Sequence, residues 1–111
     1  MDAFVLTIHR ADTFAARLLG LLARVRLTVD EALYLAPCSS IHTLFMLYSI
    51  DVAFVDRGGR ILRVVHDLKP FRAAWCRGAY GAVEFAAGAA ERHGIQPGGV
   101  LGTGLVAGVQ A

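Results

Sequence analysis

Cysteine, lysine, proline and acid are all scarce in this chain, and each scarcity removes a class of protein. Two cysteines in 111 residues are too few for a disulfide-dense secreted miniprotein. Three prolines leave no proline-rich linker and no collagen-like repeat. Charged residues are 18% of the chain against 56% hydrophobic ones, so enough apolar surface is available to offset the entropy of folding, and disorder is ruled out. The net charge is only +2 and the basic residues are scattered, which argues against a basic nucleic-acid-binding arm. No nucleic-acid partner is expected.

Lys69 stands alone among ten arginines, beside eighteen alanines and 12 glycines, a bias that a G/C-rich genome explains. The apolar excess on so short a chain also points to contact with a second copy, a homodimer, because monomers rarely leave large apolar patches in water. Residues 1–111 form a single domain by length.

Met1-Asp2 places an acid where a signal peptide carries positive charge, so export is not expected and the protein is read as cytoplasmic. Two stretches lack charge, 32–50 and 94–111. Pro37, Cys38, Ser39, Ser40 and His42 interrupt the first and glycines the second, so neither reads as a membrane span.

Hydrophobic periodicity then gives the elements. Phe4 to His9 is a β-rich run that fits a first strand. Across Ala11 to Arg24, Phe14, Leu18, Leu21 and Leu22 fall on one helical face, with Asp12 or Thr13 as N-cap. Ala32–Ala36, Thr43–Tyr48 and Ile50–Val55 read as strands, the last two too continuously apolar to face water. Asp56-Arg57-Gly58-Gly59-Arg60 joins Val52–Val55 to Ile61–Val65 as a hairpin. Pro70 keeps Asp67–Arg72 in a loop. Tyr80–Phe85 is a strand, Ala86–Gly94 a short helix ended by Gly94, and Val100–Val106 a closing strand. The expected fold is mainly β with minor α: a compact antiparallel β-sandwich or barrel, with a helix after the first strand and a short helix near the C-terminus.

Polar residues in the apolar middle of the chain must be satisfied, since an unpaired buried polar group costs about 1–3 kcal/mol. For Ser39, Ser40 and His42 the simplest partner is turn backbone. Cys38 and His42 have the types of a nucleophile and base. Cys38, His42 and Cys76, with Met46, have the types that bind Zn or Cu(I), although only Cys38-x-x-x-His42 is local. A Cys38–Cys76 disulfide is disfavoured in a reducing compartment, which leaves two free thiols. Ser40, His42 and Asp51 match a hydrolase triad in type but lack a nucleophile elbow. The Gly102–Gly108 stretch imitates a phosphate loop without a following helix. Asp56 is a turn residue. Glu84 is the one acid inside an apolar strand, with Arg72 or Arg77 expected as its partner. His9, His66 and His93 read as surface or edge residues.

Taken in order, Arg17-Leu18-Leu19-Gly20-Leu21-Leu22-Ala23-Arg24, Pro37-Cys38-Ser39-Ser40-Ile41-His42-Thr43, Met46, Ile50-Asp51-Val52-Ala53-Phe54-Val55-Asp56, Leu68-Lys69-Pro70-Phe71-Arg72, Cys76-Arg77-Gly78-Ala79 and Val83-Glu84-Phe85-Ala86-Ala87-Gly88 resemble a bacterial and archaeal domain of unknown function, the one numbered 192. The resemblance implies a small β-sandwich of jelly-roll-like topology with a helix after the first strand, and it carries no established activity, cofactor or substrate. It also implies that Cys38, His42, Thr43, Met46, Asp51, Arg72, Cys76 and Glu84 meet in one place and form a ligand-binding cluster. Ala32, Ser49 and Gly99 depart from the family's usual glycine, proline and acid.

The function expected from all this is a non-enzymatic binding or interaction module that holds a small ligand or another protein, with no cofactor. The alternative is a metal- or thiol-dependent site on Cys38, His42 and Cys76.

Overall fold

The computed structural model describes residues 6–11, 27–43, 46–101 and 109–110. The strands are β1 (Thr7–Ala11), β2 (Glu31–Leu35), β3 (Ser40–His42), β4 (Ile50–Val55), β5 (Ile61–Leu68), β6 (Ala73–Trp75), β7 (Gly81–Ala86) and β8 (Val109–Gln110), and the described helix is α1 (Ala89–Arg92). Six strands form one sheet in the order β5-β4-β7-β2-β1-β8, and β3 pairs with β6 in a separate two-stranded ribbon. Pairing is antiparallel except where β1 lies parallel to β2 and to β8. The described residues are thus mainly β, with antiparallel sheets and little helix. The sheet ends at β5 and β8, strands that do not pair with each other, so the barrel alternative is wrong.

Every residue of β4 is buried, as its unbroken apolar run requires of a strand with neighbours on both edges and cover on both faces. The β4–β5 hairpin forms as the sequence indicates. Asp56 Oδ1 accepts the N–H groups of Gly58 and Arg60, each at 2.9 Å, so the carboxylate supplies the acceptor that the turn backbone lacks. At the start of β7, Gly81 allows close approach to β2: a Cβ there would sit 2.7 Å from Tyr34 Cε1 and 3.0 Å from the Leu35 carbonyl oxygen.

Alternation along the strands divides the core. Tyr34, Ala53, Val55, Val83 and Phe85 pack with Ala89 and Ala90 of α1 and with Ile95. On the opposite face Leu35, Val52, Phe54 and Ala82 pack with Ile41 of β3, Ala74 of β6, Met46 and Leu68. The ribbon therefore lies over the sheet face opposite α1.

Several expectations need correction. The Thr43–Tyr48 run is not a strand: its described residues form a connection in which the Met46 N–H turns back to the Thr43 carbonyl at 3.2 Å, and the local strand is Ser40–His42 instead. β6 was not anticipated, because three residues are too few to show a period. The first strand extends to Ala11 rather than ending at His9. The second helix shortens to Ala89–Arg92, since Ala86 continues β7. Gly94 does take a positive φ, 67°. Val100 makes a single bridge with Arg60. The helix expected over Ala11–Arg24 and the closing strand after Leu101 lie largely outside the described residues.

Candidate functional site

The residues that the sequence proposes as one cluster separate into three groups. Thr43, Cys38, His42, Arg72 and Cys76 lie on or beside the β3–β6 ribbon. Asp51 faces α1. Glu84 sits within the main sheet, with Met46 buried in the cluster beneath the ribbon.

Thr43 ties the ribbon's end together. It is fully buried, and its hydroxyl donates to the Lys69 carbonyl at 2.6 Å while accepting the Arg72 N–H at 2.9 Å. Its own N–H donates to the Arg72 carbonyl, and its carbonyl accepts the Phe71 N–H, both at 2.9 Å. These bonds straddle Phe71, which adopts a φ of 63°, a conformation rare for a bulky side chain.

The two thiols are free and half-buried against the ribbon's core. Cys38 Sγ donates to the Ser40 carbonyl at 3.0 Å, and Cys76 Sγ lies 3.7 Å from the Arg77 carbonyl. His42 is on the outward face of β3. Among the described residues no three His, Cys, Asp or Glu side chains gather as a metal-binding group. Cys38, His42 and Cys76 thus do not assemble as one, because the imidazole faces out while both sulfurs pack inward.

Asp51 holds the other side of the sheet. Its side chain is buried, and its carboxylate accepts three backbone N–H groups: Asp67 at 2.8 Å, Gly88 at 2.9 Å and Ala90 at 3.1 Å. Gly88, at φ 91°, is the N-cap of α1 and has no side chain with which to cap it. Asp51 performs that role from β4. His66 Nδ1 is 4.0 Å from Asp51 Oδ2, and together they border an open depression of about 770 Å³ that Asp67, Glu91 and Gln96 also line. The far end of α1 is fixed to the β1–β2 connection. Arg92 Nε donates to Asp30 Oδ1 at 3.0 Å and His93 Nε2 lies 3.0 Å from the same oxygen. The Arg92 guanidinium, then His93, holds the Asp30 carboxyl below its ordinary range. His93 is a packed, bonded side chain rather than the surface residue expected.

Glu84 pairs across β7 with Leu33 on β2 and Val52 on β4. Its Oε2 is buried without a hydrogen-bond partner among the described residues. The expected arginine partner is absent: Arg72 is exposed and directs Nη1 to the Phe71 carbonyl, while Arg77 is exposed beyond the ribbon. Burial pushes the Glu84 carboxyl up to about 8, so near neutral pH it is largely the uncharged acid.

What remains for chemistry is the ribbon's outer face. Ile41 and Ala74 point inward, so Ser40, His42, Ala73 and Trp75 point outward. Trp75 is 66% exposed and Phe71 is 65% exposed. Arg63 of β5 reaches this edge, its Nη1 donating to the Trp75 carbonyl. Sequence reasoning missed Phe71, Trp75 and Arg63 as a group. The lone tryptophan was the available signal, but the three-residue strand that presents it shows no periodicity.

An open, mainly antiparallel sheet with a ribbon on one face and a short helix on the other defines a small β domain. The chain belongs to the family known as domain of unknown function 192, described as an uncharacterised ACR, whose model matches residues 2–103. Two solved structures share the fold. One, a protein of unknown function from Novosphingobium aromaticivorans, has 23% identity and a TM-score of 0.72 over 84% of this chain and 71% of that one. The other, described as a candidate transcription regulator from Sinorhizobium meliloti, has 21% identity and a TM-score of 0.73 over 84% of this chain and 78% of that one. Among curated proteins none matches the chain.

Proposed function

We propose that the protein is a small non-enzymatic interaction module that docks a partner on the outward face of the β3–β6 ribbon. The observation that carries this reading is the exposure of two large aromatic side chains, Trp75 on the ribbon and Phe71 in the loop leading into it, the latter on a conformationally costly backbone. Aromatic side chains held in water by a paired ribbon and the hydrogen-bonded loop that enters it give a docking surface large contact area at little ordering cost. The groups that suit catalysis support the same reading, since Asp51 and Thr43 spend their bonding capacity on backbone.

The fuller architecture is a β-sandwich of jelly-roll-like topology with a helix after β1. Parallel pairing of β1 with β2 supports the helix, because parallel neighbours need a crossover of about a dozen residues or more, usually helical. The helical spacing of Phe14, Leu18, Leu21 and Leu22 in the sequence supports it too. A bacterial cytoplasm suits the two free thiols and the bacterial sources of both structural neighbours.

A photo-crosslinking amino acid placed at position 75 tests the function. It should give a defined adduct in cells, and the purified partner should bind the wild-type chain at least tenfold more tightly than Trp75→Ala, with Val100→Ala unchanged. A second copy of the chain counts among the partners this experiment detects. Equal adduct formation from positions 75 and 100 would sink the reading.

A further inference from the structure

We infer that the partner of the ribbon face is an acidic, extended protein segment whose carboxylates pair with Arg63, Arg72 and Arg77 while its apolar side chains cover Trp75 and Phe71. The inference rests on the interaction-module reading and adds the partner's chemistry to it.

Charge complementarity carries it. The segments that build the ribbon, residues 37–43 and 71–79, contain no Asp or Glu. Arg72 and Arg77 bracket Trp75 in sequence, and Arg63 is bonded to its carbonyl. All three arginines are exposed, and none pairs with a carboxylate among the described residues. Their combined charge exceeds the formal +2 of the whole chain, so the remaining charges nearly cancel. The scatter of basic residues along the sequence thus becomes a local concentration once β5 and β6 are brought together.

Arg63 and Arg72 each use one Nη1–H on a backbone carbonyl, which fixes the guanidinium and leaves most of its five donors for a carboxylate fork. Tryptophan and arginine are among the residue types most enriched at protein interface hot spots. Arg72 and Trp75 are three residues apart on extended backbone, about 10 Å, a span that three or four extended partner residues cover. A long polyphosphate is less suited. Nucleic-acid affinity grows with the number of phosphates neutralised, and beyond these three arginines the charges of the molecule nearly cancel.

Trp75 is the chain's single tryptophan, so its emission reports directly on this face. The probes are an acidic peptide, Glu-Leu-Glu-Phe-Glu-Leu-Glu; the same peptide with Ser for Glu; the same with Lys for Glu; a ten-nucleotide oligothymidylate; and phosphatidylserine vesicles. The acidic peptide should shift Trp75 emission saturably, weaken at least tenfold between low and 0.5 M salt, and weaken by a similar factor in the Arg63→Gln, Arg72→Gln, Arg77→Gln triple variant. The Lys peptide should leave the emission unchanged. If the Ser peptide binds as well as the acidic one, with no salt dependence, the acidic partner is overturned and the interaction face stands. If no peptide moves the emission, both fail. Tighter binding of oligothymidylate or of vesicles overturns the inference in favour of a nucleic acid or a membrane surface. The salt titration on the wild-type chain gives the answer even if the triple variant folds poorly.

Discussion

Asp51 Oδ1 accepts the Asp67 N–H at 2.8 Å where β5 carries an extra residue against β4. The bulged Asp67 has a φ of 54° and its amide points to no strand, so the buried carboxylate takes the place of the missing ladder acceptor. The same carboxylate's other oxygen accepts the Gly88 and Ala90 N–H groups. One side chain thereby fixes a bulge and the start of α1. Asp51→Ala removes both acceptor oxygens and leaves the three N–H donors unmet. It should destabilise the fold by about 3–5 kcal/mol, on the scale for hydrogen bonds to charged groups. Chemical denaturation against wild type checks this, and a loss under about 1 kcal/mol would show that the three bonds are dispensable.

This staple also shows what the sequence could and could not convey. Ile50–Val55 and the Asp56–Arg60 turn were legible because a buried strand and a Gly-containing hairpin are local patterns. Asp51's role was not, because its donors come from residues 16 and more positions away and become neighbours only through the bulge in β5 and the pairing of β4 with β7. The ribbon was illegible for a related reason. β3 and β6 are three residues each, and their pairing depends on Thr43 closing onto the 69–72 loop. Of the expected cluster, Cys38, His42, Thr43, Arg72 and Cys76 do share a region, and Glu84, in register with Leu33 and Val52, is on the same side of the sheet beneath it, whereas strand alternation turns Asp51 to the opposite face, towards the helix.

Glu84 makes stability depend on pH. Its folded carboxyl is raised to about 8 from an ordinary 4.5, so the native state holds the proton more tightly than the unfolded chain. Stability is then greatest below about 4.5 as far as this group is concerned, declines as pH rises and the unfolded chain ionises, and levels off above about 8. Over that window the loss is several kcal/mol, on the order of 3–5. Glu84→Gln should flatten the decline and be more stable than wild type at pH 8. Parallel denaturation curves at pH 5 and pH 8 measure it; an unchanged slope in the variant would assign the pH dependence elsewhere.

Thr43 is a second test of backbone accounting. Thr43→Val preserves shape but leaves the Lys69 carbonyl and the Arg72 N–H without the hydroxyl that now serves both. The expected cost is about 1–3 kcal/mol, while Thr43→Ser, which keeps the oxygen, should cost less. A Ser variant as unstable as the Val variant would mean that the methyl group, and not the hydroxyl, holds the loop.

The thiols should behave as packing groups. Cys38 Sγ donates a hydrogen bond to the Ser40 carbonyl, and Cys76 Sγ lies within sulfur hydrogen-bonding distance of the Arg77 carbonyl, both packed against the apolar cluster beneath the ribbon. In the native protein both should alkylate slowly near neutral pH, at rates within a few-fold of each other, and both should react quickly in denaturant. Mass spectrometry of iodoacetamide-treated samples resolves the sites. Selective, rapid modification of Cys38 would instead restore the nucleophile reading.

Phe71 separates folding from function most cleanly. Its φ of 63° costs a bulky residue on the order of 1 kcal/mol or more, which glycine does not incur. Its side chain is 65% exposed, so little packing is lost on removal. Glycine's extra freedom in the unfolded chain works the other way and costs about 0.5–1 kcal/mol. Phe71→Gly should therefore leave stability within about 1 kcal/mol of wild type. If Phe71 were there for the fold alone, no further change would follow. On the docking reading the same variant should bind the acidic peptide several-fold more weakly, with Trp75 emission in the free protein little altered. Undiminished binding in a variant of unchanged stability would remove Phe71 from the surface and leave its backbone conformation without a functional reason.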